Sequence, residues 1–172
     1  MAPLVSLLKG TPQLYYGQEL GMPGAQRPEY KSDEKDIGTR EAFEWNATVE
    51  SAGHATWYKG QKSYWTQRYS RDNDGISVAE QDRDPASLLN HYRRLFPLRS
   101  AHPALRSGTQ HIVPTGGNIL VVERVSGGEK IRIIANLSGE SAEYPVSGRD
   151  LLSGSAVDAV QLKPFETAVI RL

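Results

Sequence analysis

The chain contains no cysteine, which excludes disulfides, thiolate nucleophiles and cysteine-held metals. The compartment stays open, because many secreted proteins do without disulfides. Net charge is missing too: 20 lysines and arginines stand against 20 acids. Without a field of one sign there is no electrostatic footprint for nucleic acid or an anionic membrane, and neutral molecules are the expected partners. Long apolar runs are also absent. The nearest, Met1 to Leu8, contains Pro3, lacks a basic flank and stops at Lys9, too short for a signal core or a membrane span. It reads instead as part of an internal helix.

What is present suffices for a core, since 172 residues accommodate one or two domains. Punctuation changes near Pro103. Behind it, short runs rich in Ile and Val alternate with Gly, Ser and Pro, the pattern of small antiparallel strands. Asn118 to Val125 and Lys130 to Leu137 flank Ser126-Gly127-Gly128-Glu129 and predict a hairpin. Thr109 to Val113, Glu140 to Tyr144, Ala159 to Leu162 and Phe165 to Leu172 supply further strands. Together they predict an all-β, Greek-key-like sandwich over residues 104–172.

Residues 1–103 are organised differently. Asp84 before Pro85 predicts a helix start, with Pro85 at the first helical position where its missing N–H costs nothing. The helix is expected to reach about Arg99, with Leu88, Leu89, Tyr92, Leu95 and Phe96 as one apolar stripe and Pro97 in its last turn. Gln13 to Tyr16, entered through Gly10-Thr11-Pro12 and left through Gly17, reads as a short buried strand. Between Glu19 and Gln81 lie over sixty residues with little periodicity, far beyond an ordinary loop, so this stretch is expected to carry function or to lean on another body.

The strand and its exit resemble the eighth barrel strand of glycoside hydrolase family 13, the α-amylase family. That family's pattern, Gly-x-Pro-x-x-Tyr-x-Gly-x-Glu, is met by Gly10, Pro12, Tyr15, Gly17 and Glu19, and Gly21-Met22 extend the match. Arg40-Glu41-Ala42-Phe43-Glu44-Trp45 is similar to the family's Arg-x-Pro-x-x-Trp segment, with Ala42 where proline is usual. Val78 to Gln81 and Asp84 to Leu95 look like the approach to the last barrel helix and its body. Ala101 to Leu105 then resembles the link into the C-terminal β-sandwich, and Leu162 to Val169 its closing strand.

This resemblance implies the end of a TIM-type α/β barrel over residues 1–103, followed by the sandwich. A complete barrel needs roughly 250 residues, so an N-terminal barrel portion is implied as a missing partner, and Met1 is not expected to be the natural start. The family's retaining chemistry on α-glucosidic bonds uses an Asp after the fourth strand, a Glu after the fifth and an Asp after the seventh. By collinearity all three would precede Met1. Retention needs one carboxylate to attack and another about 5 to 5.5 Å away to protonate the leaving oxygen, so the chain alone is expected to be inactive, with no catalytic residue of its own.

Asp33, Glu34 and Asp36 sit in a charged loop and read as solvated. Asp82 and Asp84 precede a helix, where acids favour its dipole. Asn90-His91 lies within a helix and reads as structural. Asp72-Asn73-Asp74-Gly75 hints at a calcium loop, but with Gly75 aligned, Ser70 comes first and Gln81 falls where a bidentate Glu belongs. An ordinary turn is the expectation, and neither metal nor cofactor is implied.

The candidate sugar contacts come from a ring-rich run: Trp45, Trp57, Tyr58, Tyr64, Trp65 and Tyr69 fall within 25 positions. Flat amphipathic rings beside polar groups suit a sugar cleft, and they also fill cores. Trp57, Tyr58 and Trp65 are the ring candidates, because loops after barrel strands lie at the active-site face. Glu19 and Arg40 are the polar candidates by the same location argument, with structural salt-bridging as their alternative. The implied ligand of the parent enzyme is an α-glucan or α-glucoside. A stand-alone carbohydrate-binding module and a structural half that complements a separate barrel chain are the competing readings.

Overall fold

The computed structural model describes residues 2–59 and 69–172. It divides into two compact units, residues 1–13 with 92–172 and residues 14–91. No helix among the described residues is long and apolar enough to cross a membrane.

The first unit is built on a six-stranded antiparallel sheet: β1 Thr109–Val113, β2 Ile119–Ser126, β3 Glu129–Asn136, β4 Ala142–Asp150, β5 Ala156–Leu162 and β6 Thr167–Arg171. Strand order is β1-β2-β3-β6-β4-β5. The predicted hairpin is present, with Val121 opposite Ile134 and Ser126 opposite Glu129. Two separate sheets were expected, whereas a single hydrogen-bonded sheet is found. The reason is the narrow seam between β4 and β6, where Arg149 pairs with Arg171 and Asp150 with Ile170. That seam joins the β4–β5 hairpin to the rest while letting it fold over one face.

One apolar cluster lies under this fold-over, formed by Val121, Ile134, Val146, Val160, Leu162, Ala168 and Ile170. Side chains alternate across a strand, so Ile131, Ile133 and Ala135 of β3 point to the opposite face, where helix α1, Ala2–Leu7, and helix α4, Pro103–Ser107, pack against β3. Burial on both faces explains why β3 reads as a near-continuous apolar run rather than an alternating one. Gly148 lies at the seam. A Cβ there would meet Arg171 O and, at 2.8 Å, Ile170 Cγ2, so only glycine permits the close approach.

Two arginines finish α1. A helix leaves its last carbonyls without intrahelical donors. Arg99 Nη1 donates to Ser6 O and Leu8 O, both at 2.9 Å, and Arg99 Nη2 to Gly10 O at 2.5 Å. Arg124, on β2 and wholly buried, donates to Leu7 O at 2.6 Å and to Gly108 O at 3.2 Å. At the start of α4, Glu129 Oε2 accepts from Ala104 N at 2.9 Å while Oε1 lies 2.6 Å from His102 Nδ1. Burial raises the Glu129 pKa, but the hydrogen bonds from His102 and Ala104 outweigh it and hold the carboxyl below its usual range.

The helix predicted from Asp84 is α3, Leu88–Ala101, and it begins three residues later than expected. Asp84 Oδ1 accepts from Ala86 N at 2.8 Å, closing a local turn. Ser87 Oγ accepts from Asn90 N at 3.2 Å, the bond an N-cap makes. The helix continues four residues past Pro97. Its apolar stripe is narrower than predicted: Leu89, Tyr92 and Leu95 are buried, while Leu88 and Phe96 are exposed.

Gln13 to Tyr16 does not form a strand. Residues 11–15 carry no regular structure, and no described segment pairs with them, so the ladder a strand requires is absent.

Candidate functional site

The second unit, residues 14–91, holds every residue proposed for ligand contact. Its described residues have little regular structure: a 3-10 helix at Ser32–Thr39 and the one-turn helix α2 at Val78–Gln81 precede the start of α3. Local polar chemistry replaces a core sheet. Ser77 and Glu80 form a capping box at α2, Ser77 Oγ accepting from Glu80 N at 3.3 Å and Glu80 Oε2 from Ser77 N at 3.2 Å. The Ser-x-x-Glu spacing was legible in the sequence as that signal. Hydrogen bonds from Ser77 and Gly75 lower the Glu80 pKa although burial acts against them.

Gln81 is the hub of the unit, and sequence reasoning missed it. Its buried Nε2 donates to Leu20 O at 2.8 Å, with Gly75 O and Ile76 O also within 3.2 Å, and Oε1 accepts from Leu89 N at 3.0 Å. Its backbone carbonyl accepts from Ser87 Oγ and Asn90 Nδ2. One side-chain amide therefore ties the Gly17–Met22 turn to α3. No short-range pattern signals such a partner set, because Leu20 lies 61 positions away.

The calcium-like run is an ordinary turn. Asp72 Oδ1 accepts from Val49 N at 2.8 Å and Asp74 Oδ1 from Ile76 N at 3.1 Å, so both carboxylates already serve the backbone. Among the described residues no three His, Cys, Asp or Glu side chains are grouped to hold a metal ion.

A depression of about 230 Å3 opens beside the Gly17–Met22 turn, lined by Tyr15, Tyr16, Gln18, Met22, Thr39 and Glu41 among others. Tyr16 Oη donates to Glu41 O at 2.8 Å. Burial, then the neighbouring Tyr15 and the Glu41 charge, push the Tyr16 pKa up to about 12 against the opposing pull of Arg40. The Glu41 carboxylate is turned to Tyr69 N at 3.0 Å and Ser70 Oγ at 3.3 Å. The depression thus offers phenol rings, an amide and hydroxyls, a lining that suits a neutral polar molecule better than an ion.

Of the residues singled out beforehand, Arg40 stands in sequence between the lining residues Thr39 and Glu41, is exposed and is not itself part of the lining. Glu19 is half-buried in the turn that follows Gly17. Trp57 is 44% exposed and meets Tyr58 edge-on at 5.9 Å between ring centroids, while Tyr58 is buried. Neither ring lines the depression. Trp65 and Tyr64 lie outside the described residues. Trp45 of the ring-rich run instead joins three rings outside it: Tyr15–Tyr16, Tyr16–Phe43 and Phe43–Trp45 centroids are 4.7, 6.4 and 4.6 Å apart.

The chain is 27% identical over 175 residues to Alpha-amylase 3 of Dictyoglomus thermophilum, covering 96% of this chain and 32% of that protein. It is 30% identical over 172 residues to a probable alpha-glucosidase of Rhizobium meliloti, covering 90% and 29%. Trehalulose synthase MutB from Pseudomonas mesoacidophila MX-45 superposes with a TM-score of 0.71 at 18% identity, over 99% of this chain and 37% of that one. At that identity the likeness speaks for the fold alone. The chain therefore spans about a third of the length of the curated relatives it matches. Residues 1–108 fit the family described as "Alpha amylase, catalytic domain", and by that match, which takes in well over half of its length, the chain belongs to the alpha-amylase family.

Proposed function

We propose that this chain is the C-terminal portion of an α-amylase-like retaining glycoside hydrolase or transglycosidase acting on α-glucosidic bonds, and that it lacks the catalytic acids when alone. The observation that carries this reading is the family match over residues 1–108 in a chain about a third as long as its relatives. Supporting it, Glu41 is the carboxylate lining the depression, and its oxygens already accept from Tyr69 and Ser70. Retention requires two carboxylates free to act.

In this reading residues 1–103 are the end of the barrel and residues 104–172 the terminal β-domain. Trp57, with Tyr58 behind it, Trp65, Glu19 and Arg40 contact the α-glucan or α-glucoside of the whole enzyme. The test is direct: purified chain incubated with maltotriose or a nitrophenyl α-glucoside is expected to release no sugar. Sustained release that survives repurification overturns the proposal.

The exposed ring of Trp57 favours a second reading, a stand-alone carbohydrate-binding module. Titration with maltotriose decides it: saturable binding that Trp57→Ala abolishes supports the module, and no binding rejects it.

A further inference from the structure

We infer that Arg149 of β4 and Arg171 of β6 together form a binding site for a phosphate dianion, free or carried on a sugar, on the six-stranded sheet. The site lies apart from the residues assigned to ligand contact above, and it does not rest on the reading under Proposed function.

The register of the sheet brings the pair together. Arg149 is the direct partner of Arg171 across the seam between β4 and β6, so their Cβ atoms stand about 4.5 to 5.5 Å apart on one face. Arg171 also faces Ile131 of β3, which puts the pair on the face where α4 packs against β3. The backbone beneath them is fixed. Leu151 N donates to Val169 O at 2.8 Å and Leu172 N to Lys130 O at 3.0 Å, and Gly148 lets the two strands approach where a Cβ would collide with Arg171 O.

Like charges directly opposite each other destabilise a sheet. No ion pair within the chain relieves these two: among the described residues neither guanidinium makes a hydrogen bond or a salt bridge. Glu129 attracts Arg171, yet its oxygens are taken by His102 Nδ1 at 2.6 Å and Ala104 N at 2.9 Å. On its other side Arg149 faces Ala156, which brings neither charge nor bulk. Both arginines are exposed, so two complete sets of donors meet solvent at one spot.

The chemistry of the pair selects the ligand. A guanidinium fork binds oxyanions through two parallel N–H donors. Two forks carrying two positive charges match a tetrahedral dianion, whose oxygens can serve both at once. A carboxylate has one charge and fills one fork, which leaves half of the repulsion in place. Nucleic acid or an anionic membrane calls for a wide positive field, and the chain's 20 basic residues are balanced by 20 acids. A phosphate group is small enough to be held by two residues.

The experiment follows thermal melts of the full chain at pH 7.5 and low ionic strength. Separate series contain inorganic phosphate, glucose 6-phosphate, glucose, and sodium chloride matched in ionic strength. A ligand that binds the folded chain raises its melting temperature as the ligand saturates the site. Expected is a saturable rise at low-millimolar phosphate that chloride and glucose do not reproduce. Arg149→Gln and Arg171→Gln are each expected to weaken that response at least about ten-fold. In phosphate-free buffer both variants are expected to melt no lower than the parent, because each substitution removes a repulsion and no bond. Tighter binding of glucose 6-phosphate than of phosphate assigns the site to a sugar phosphate, and equal binding assigns it to the free ion. The inference is overturned by the absence of a saturable response, by a response that chloride matches, by one that survives both substitutions, or by variants that melt lower than the parent without phosphate.

Discussion

Arg124 Nη1 lies 2.6 Å from Leu7 O, joining a strand to the end of a helix 117 positions earlier in the chain. The guanidinium is wholly buried and its donors face backbone carbonyls of Leu7, Gly108 and Thr109. Burial, then the nearby Arg99 charge, lower its pKa. An arginine serves here because its planar fork reaches several carbonyls at once and stays charged under these penalties.

Replacing Arg124 with methionine keeps much of the stem but strands the carbonyls it satisfied. The expected loss is about 2 kcal/mol, the order of leaving buried polar groups unmade, read as a lower midpoint in urea unfolding. Arg124→Lys is expected to recover only part of it, because an ammonium cannot reproduce the fork. A methionine variant as stable as the parent would contradict this role.

Gln81 makes a sharper test, since glutamate matches its shape but not its donors. Gln81→Glu turns the group facing Leu20 O from donor to acceptor. The expected cost is again about 2 kcal/mol or more. Hydrogen exchange is expected to rise in residues 14–91 first, and an unchanged exchange pattern there would remove Gln81 from the centre of that unit.

Acid should loosen the first unit through Glu129. Its carboxyl is held below the ordinary range in the folded chain, so the unfolded chain binds the proton more readily. The stabilisation is therefore full above the unfolded value of about 4.3 and is lost as pH falls through the lower folded value. Thermal melts between pH 6 and acid conditions are expected to show a shallower decline for Glu129→Gln than for the parent. Equal slopes would mean that the contact with His102 and Ala104 contributes nothing measurable.

At the seam of the sheet, Gly148→Ala is expected to destabilise by about 2 kcal/mol, within the range for forcing atoms into a packed place, because the new methyl collides with Arg171 O and Ile170. Gly127→Ala, at a turn with open space around it, separates steric collision from backbone strain: its φ of 57° disfavours alanine without any clash. Circular-dichroism melts on both variants make the comparison, with Gly148→Ala expected to lose the β-signal at lower temperature.

The sequence by itself determined the elements whose signals are local. The β2–β3 hairpin follows from two β-branched runs around Gly127-Gly128, α3 from its helical apolar spacing, and family membership from fixed residues such as Gly10, Pro12, Tyr15, Gly17 and Glu19. Each needs only neighbours a few positions apart. Tertiary structure decided what depends on distant partners. Nothing local marks Arg124 as the buried partner of Leu7 O, and Gln81 reads as part of a failed calcium loop until Leu20 and Leu89 close around its amide. Gln13 to Tyr16 has the composition of a buried strand yet forms none here, because a strand exists only through the bonds its neighbours supply. A single sheet rather than two was likewise settled by two residue pairs at β4 and β6, a contact between segments that no periodicity along the chain encodes.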